Sequence, residues 1–476
     1  MYDVIIIGGG VIGCSVARFL SQYKGNFLLL ERHNDVGEET TNANSGIVHS
    51  GYDPLPGSKK AYFNVKGCKM MPKVSEELDV PFKKNGSLTI GFNETDLETL
   101  TSLLERAKEN GVDAEILNYD ELHKREPNLN KECKYALYCK DAGIISPFNL
   151  CVSFMENAMD NGVKLKLNTE VIKIEKINDF YRVFTKNNEI FDTKVLINCT
   201  GTSSDLVTNF LEKPTFKITP KKGEYILFDH FDQNFVHSTL FMCPTELGKG
   251  VLFSPTTSNN YFIGPNSISS DRCDTSTDKN SFDYIKQEAK RLIPDLPLTE
   301  VIREFAGVRA NNDSDDFIIE ESKTNKNFIN VAGISSPGLA SSPAIGEYVA
   351  NYVKDKLNLE INKEFNPYVR KHLKANNIEE LNELIKKNKK YGHIICRCEQ
   401  VSEGAIVDVI NRNCGARTVK GVKKRIRAGF GKCQGTFCQD EVIKILAREL
   451  HLSIEDIKYS DFDTTILKYQ AKGKKR

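Results

Sequence analysis

Four cysteines stand in two tight pairs near the end of the 476-residue chain: Cys396 and Cys398 in "IICRCEQ", then Cys433 and Cys438 in "GKCQGTFCQD". The pairs are 34 residues apart. Thiolates converging from two loops hold either an iron–sulfur cluster or a zinc ion, and a C-x-C pair is tighter than the spacing usual in zinc knuckles. At the other end of the chain, "GGGVIG" sets Gly8, Gly10 and Gly13 in a G-x-G-x-x-G pattern. The first glycine of such a loop permits a tight turn. The second lets a pyrophosphate approach the backbone, and the third lets a helix pack closely on a strand. One chain thus combines a dinucleotide site with a thiolate site.

Both sites need elements to hold them. "YDVIII" reads as a buried strand, and "VIGCSVARFLSQ" as a helix with Val11, Ile12, Val16, Phe19 and Leu20 on its apolar side. The N-terminus of that helix offers unpaired N–H groups and a positive dipole end to phosphates. The strand "NFLLLE" ends in Glu31, whose carboxylate is placed to accept from a ribose hydroxyl. Cys151, Phe154, Met155, Ala158 and Met159 recur at helical spacing and read as core. "KGEYILFD", "GVLFSPT" and "NYFIGP" alternate like strands of an antiparallel sheet. "NNIEELNELIKKNKK" reads as a lightly docked connector. From His393 onward, Ser402 and Thr418 cap two short helices that bury Ile406, Val409 and Ile410, and Val419, Val422 and Ile426; a third helix near Cys438 buries Val442, Ile445 and Leu446. The basic residues Lys423, Lys424, Arg425 and Arg427 of the second helix read as a solvated face that could also stabilise a reduced cluster or steer an acidic electron carrier. Cys414, in a turn, is set apart from the two pairs.

Composition narrows the function classes. Lys+Arg of 65 against Asp+Glu of 64 gives no electrostatic support for a nucleic-acid partner. No apolar run approaches the roughly eighteen residues of a membrane span. The chain enters a strand and glycine loop at once, so no targeting segment is expected, and the 13 cysteines read as reduced thiols rather than a disulfide framework. A cytoplasmic location is the expectation.

"ERHNDVGEETTNANSGIVHSGYD" resembles the stretch after the second strand in the D-amino-acid oxidase family of flavoproteins. "KVLINCTGTSSD" and "FINVAGISSPGLASSPAIGEYVANYV" resemble two further segments of that family, and the likeness spans about residues 1–365. It implies FAD rather than a nicotinamide cofactor, since the late segments would otherwise be unexplained. The implied cofactor residues are Gly8, Gly10, Gly13, Glu31, Arg32, Thr41, Asn44, Ser45 and Gly46, then Val171, Gly201, Gly333, Gly338, Leu339 and Ala340. Physically, the third segment reads as a strand ending at Gly333, a Pro337-Gly338 turn, and a helix from near Ala344 whose amides face the flavin where charge collects on reduction. The resemblance divides this part into FAD-binding stretches (about 1–80, 145–215 and 300–365) and substrate-binding stretches (about 80–145 and 215–300). It also implies three catalytic residues. His49, in "NSGIVHSG", would take an alcohol proton. Arg309, in "REFAGVRA", would hold the anionic group of a small substrate. Lys222, in "TPKKGEYILFD", would border the active site, with Lys221 as its alternative.

Residues 393–450 resemble the bacterioferritin-associated-ferredoxin type of domain, which implies a 2Fe–2S cluster on Cys396, Cys398, Cys433 and Cys438, rather than zinc. A helical linker (366–392) precedes it and a basic tail (451–476), ending "AKGKKR", follows. The fold expected is α/β: a Rossmann-type FAD-binding domain, an antiparallel-sheet substrate domain and a small helical iron–sulfur domain. The whole is most similar to anaerobic-type glycerol-3-phosphate dehydrogenases, with electrons leaving through the cluster to a partner protein or subunit and with membrane docking, if any, through that partner. His49 is followed by Ser50, Gly51, Tyr52 and Asp53, not by the arginine of the respiratory enzymes. A 2-hydroxy dicarboxylate or a secondary amino acid therefore stays open as substrate. A non-catalytic assembly protein is the alternative of another class, which the pairing of His49 with Arg309 argues against.

Overall fold

The computed structural model describes all residues except 245–249, 374, 376, 462–463 and 469–476. β1 (Tyr2–Ile7) lies between two parallel neighbours, β2 (Phe27–Leu30) and the long strand β4 (Ile190–Asn198). Its interior, Val4 to Ile6, is wholly buried because helices cover one face and a second apolar layer covers the other. β7 (Phe328–Ala332) adds to β4 in parallel, so the last segment of the flavoprotein-like region returns beside the first. Three helices complete the layer: α1 (Val11–Leu20), α2 (Pro147–Asp160) and α3 (Gly338–Leu357). Cys151, Phe154, Met155 and Ala158 of α2 are fully buried, as their spacing predicts. α3 begins at Gly338 rather than near Ala344. Pro343 lies inside the helix and does not start it.

The second sheet has nine strands, among them β3 (Ser87–Gly91), β5 (Lys221–Phe228) and β6 (Val301–Arg309). Two corrections follow. The sheet is not wholly antiparallel, since Thr239–Met242 runs parallel to β3. The boundary expected near 300 also shifts, because β6 pairs with β5 along its whole length, from Lys221 opposite Arg309 to Phe228 opposite Val301. Arg309 therefore reaches the site from the substrate sheet.

The C-terminal unit has its own core. Ser402 and Thr418 cap α5 (Glu403–Ile410) and α6 (Val419–Ile426) as expected, and α7 (Gln439–Leu450) starts directly after Cys438. Ile406, Val409, Val422, Val442 and Leu446 form the interior. Packing continues beyond 450, because Ile457 is buried in the same cluster. The connector α4 (Ile378–Lys387) buries none of its residues. The tail "AKGKKR" lies outside the described residues.

The basic face of α6 is not solvated. Lys423, Lys424 and Arg425 are each 5% exposed or less. Arg425 forks onto Asp35, its Nη1 and Nη2 donating at 2.7 and 2.8 Å. Lys424 donates to Glu38 at 2.5 Å, and Lys420 takes the other Glu38 oxygen at 2.7 Å. Nearby, Arg412 donates to Glu156 of α2 at 2.8 Å. Further along the chain, His33 pairs with Asp461. Asp35, Glu38 and His33 belong to the loop after β2 and Glu156 to α2, so a largely buried ionic seam fixes the cluster unit against the nucleotide-binding sheet.

Burial alone would raise the Asp35 carboxyl, but Arg425 and Lys424 hold it well below the usual carboxylate range. Burial works against the charge on His33, yet its bonds to Glu39 and Asp461 and the charge of Glu31 raise it to about 9. A depressed carboxyl adds stability that is full above about pH 4 and is lost as pH falls below that. A raised histidine adds stability that is full below its ordinary value and is lost as pH rises through about 9. The Asp35 pairs cross the seam whereas most of what raises His33 lies in its own loop, so docking should loosen in acid. Removing one partner of a buried pair costs about 3–5 kcal/mol. Asp35→Asn should accordingly expose the chain before residue 393 to limited proteolysis at neutral pH, under conditions where the wild-type chain stays intact. Equal resistance of the two proteins would show that the seam does not hold the domains together.

Candidate functional site

Gly8 and Gly13 explain the entrance to the site. Gly8 has φ of +104°, and a Cβ there would lie 2.5 Å from the Cys199 carbonyl oxygen; one on Gly13 would lie 2.0 Å from the Gly8 oxygen. Both positions exclude side chains for reasons internal to the fold. Gly10 differs. A Cβ there would touch only Thr41 Oγ1, at 3.5 Å, so the backbone of the α1 turn borders open space. Gly10 also provides no capping side chain for the helix. That combination suits the pyrophosphate of a dinucleotide.

The open space is a cavity of about 390 Å³ running from this loop to the second sheet. Gly8, Gly10, Glu31, Arg32, Thr41, Asn44, Ser45, Val171, Gly201, Gly338 and Leu339 line it, together with His49 and Arg309. Glu31 is buried at the end of β2. Its Oε2 accepts from the Gly9 N–H at 2.6 Å and its Oε1 from the His33 N–H at 2.8 Å, and burial raises its carboxyl. Arg32 is paired with Glu39. The start of α3 meets the cavity through Gly338 and Leu339, and Pro337 supplies no side-chain cap.

Four expected cofactor residues do not line the cavity. Gly13 and Gly46 serve close packing, the latter against the Ile145 carbonyl. Gly333 turns the chain at φ +63° beside Asn312, and Ala340 lies buried one turn into α3.

The expectation for Lys222 is wrong. Side chains alternate across β5, which puts Lys222 and Glu224 on the face opposite Tyr225. Lys222 is buried there, donating to Asp274 at 2.9 Å and to the Ser276 carbonyl at 2.9 Å, and it does not line the cavity. Lys221 is exposed. Tyr225 reaches the cavity instead, stacked on Phe305 with ring centroids 4.9 Å apart. Its place in the alternating run "GEYILFD" was the available signal. Phe241 and Leu252, also in the wall, carry no motif.

His49 sits on the loop after Ile47–Val48. Asn64 Nδ2 donates to its carbonyl at 2.6 Å, and its ring lies 5.5 Å from that of Phe241. Arg309 Nη2 donates to the Asn266 carbonyl at 2.9 Å, which anchors one edge of the guanidinium. Its Nε is buried without a hydrogen-bond partner among the described residues. The guanidinium as a whole borders the cavity and stays charged, so an anion bound there would meet a fixed cation.

The four cysteines of the C-terminal unit come together from their two loops. Cys398 Sγ lies 3.8 Å from Cys433 Sγ, and Cys396 is hydrogen-bonded to Cys438. No three His, Cys, Asp or Glu side chains among the described residues converge on a point that could hold a single ion. Thiols gathered as two pairs match a two-iron cluster, in which each iron takes two thiolates. Cys414 lies elsewhere, buried against Arg425.

Comparison with known proteins agrees with this geometry. The profile of the FAD dependent oxidoreductase family matches residues 3–352, and that of the BFD-like [2Fe-2S] binding domain matches residues 394–448. The chain is 46% identical over 463 residues to a glycerol 3-phosphate dehydrogenase of Caloramator mitchellensis, covering 96% of each chain. It is 35% identical to a glycerol 3-phosphate oxidase of Mycoplasma genitalium, over 76% of this chain and 96% of that one. Among solved structures, the dithionite-reduced L-alpha-glycerophosphate oxidase of Mycoplasma pneumoniae with FAD bound superposes with a TM-score of 0.73 at 31% identity. That match covers 77% of this chain and 98% of the oxidase. No helix among the described residues is long and apolar enough to cross a membrane. The chain belongs to the FAD dependent oxidoreductase family and carries a BFD-like [2Fe-2S] binding domain at its C-terminal end.

Proposed function

We propose that this enzyme oxidises glycerol-3-phosphate to dihydroxyacetone phosphate and that the electrons leave through the cluster to a partner. The observation that carries the substrate is the guanidinium of Arg309 lining one cavity with His49 and the glycine loop. An anionic group bound by that guanidinium would hold the small alcohol within the cavity. The names and high identity of the relatives support a phosphate as the anion. Bound FAD supplies a two-electron acceptor for the hydrogen on the alcohol carbon. His49 takes the hydroxyl proton as that hydrogen leaves as hydride, so substrate loses one hydride and one proton. Phe241 beside the imidazole and Asn64 on its carbonyl limit how far the histidine can turn. Tyr225, Phe241 and Leu252 make the adjoining wall apolar and so favour the exclusion of water.

In this reading the glycine loop, Glu31, Arg32, Thr41, Asn44, Ser45, Val171, Gly201 and the start of α3 hold FAD. Cys396, Cys398, Cys433 and Cys438 hold the cluster. A flavin accepts two electrons and a 2Fe–2S cluster passes one, so the second cofactor gives the first a one-electron outlet.

Three outcomes are expected. Gly10→Val should fold, because only Thr41 stands near the new Cβ, but it should purify without flavin absorbance; a fully yellow variant would refute the site. In anaerobic mixing with glycerol-3-phosphate, His49→Ala should slow flavin bleaching about a hundredfold or more, while Arg309→Ala should chiefly raise the concentration needed. Bleaching by 2-hydroxyglutarate but not by glycerol-3-phosphate would reassign the substrate. Cys433→Ser should lose iron and the paramagnetic signal of the reduced cluster yet keep substrate-driven bleaching, and turnover with the natural acceptor should collapse. Full turnover after cluster loss would mean that electrons leave the flavin by another path.

A further inference from the structure

The cluster unit meets the rest of the chain at a second place, beyond the ionic seam. After α6 the chain turns through Arg427, at φ +69°, and presents Phe430 to the substrate sheet. Phe430 packs into an apolar cluster that contains Ile47, Tyr225, Phe241 and Leu252, and these four residues also form wall of the FAD cavity. Its backbone opens the short segment that leads to Cys433. Gln434, the next residue after that cysteine, donates back to the Phe430 carbonyl at 2.9 Å. Gly431, beside Phe430, lies so close to the other thiol loop that a Cβ there would come within 2.4 Å of Cys398 Cβ.

Two cations hold the ring. The Lys423 ammonium lies 5.0 Å and the Arg427 guanidinium carbon 4.6 Å from its centroid, and Phe148 adds an aromatic contact at 6.4 Å. Each cation is tied down in turn. Lys423 donates to Gln434 at 3.1 Å, and Arg427 bonds both Glu399, next to Cys398, and Asn260 of the substrate sheet at 2.7 Å. Phe430 therefore packs on the cluster that walls the cavity, while its backbone and the residues around it lead into both thiolate loops.

We propose that Phe430 is the contact through which electrons cross from the FAD cavity to the cluster. Tunnelling weakens far more steeply across a gap than through bonded and packed matter, so the side chain filling this junction sets the rate without touching the chemistry. The inference rests on the reading that the cluster is the electron outlet. Each substrate oxidised delivers two electrons, which cross singly. The two protons released go to solvent, and each electron reduces the cluster once before passing to a one-electron acceptor protein.

The test is anaerobic mixing of the full chain, holding both cofactors, with glycerol-3-phosphate. Flavin bleaching is followed optically, and cluster reduction by freeze-quenched paramagnetic resonance. In Phe430→Ala, bleaching should keep its wild-type rate while cluster reduction slows about tenfold or more. Iron content and cluster potential should be unchanged. Phe430→Leu and Phe430→Tyr, which refill the junction, should restore most of the rate. Wild-type cluster reduction in Phe430→Ala overturns the assignment of this residue alone. So does a loss equally deep in all three variants, which would point to displacement of the domain. A wild-type protein whose flavin bleaches while its cluster never becomes reduced overturns both this assignment and the outlet reading beneath it.

Discussion

The grip of Arg425 on Asp35 is the interaction on which the arrangement of this protein depends. Both groups are buried, and neither charge has enough water to stabilise it separately. Lys424 and Glu38 extend the pair into a small network, and Arg412 with Glu156 adds a second anchor on α2. If the cluster is the electron outlet we propose, it is useful only near its source. Apolar packing alone could let a small domain slide. Paired charges in low dielectric tolerate one register, because a shift leaves a buried charge without its partner.

The loop that carries this seam has a second role. Asp35 faces the cluster unit, while Arg32, His33, Glu39 and Thr41 line the cavity, and Glu38 does both. The short segment that closes over the nucleotide end of the site is therefore the segment that receives α6. The structure also separates two uses of positive charge that look alike as residue types. Lys222 lies on the far face of β5, paired with Asp274, whereas Arg309, on the neighbouring strand opposite Lys221, borders the cavity.

Much of this was legible in the sequence. The glycine spacing, the acid at the end of β2, the strand alternation and the cysteine pairs are local patterns. Each follows from what a few neighbouring residues must do for turn geometry, phosphate contact or metal ligation. The caps at Ser402 and Thr418 and the buried face of α2 were readable for the same reason. The resemblance over about residues 1–365 then pointed to His49 and Arg309, which no local rule distinguishes from an ordinary loop histidine or surface arginine, and both line the cavity.

What the sequence left undecided depends on which surfaces meet. Lys424 and Arg425 look like a solvated helix face because their partners stand almost four hundred residues earlier. Only docking turns them into the interior of an interface. The role expected for Lys222 failed by one step of strand alternation, and a one-residue shift in a strand exchanges its two faces. Tyr225, Phe241, Leu252 and Phe430 have no motif, since an apolar wall is specified by shape and not by residue order. The sequence pointed to both cofactors and to the loops proposed to hold them, because those signals are local. Tertiary packing decided which basic side chains border the cavity and where the cluster unit meets its wall, because both depend on surfaces distant in the chain.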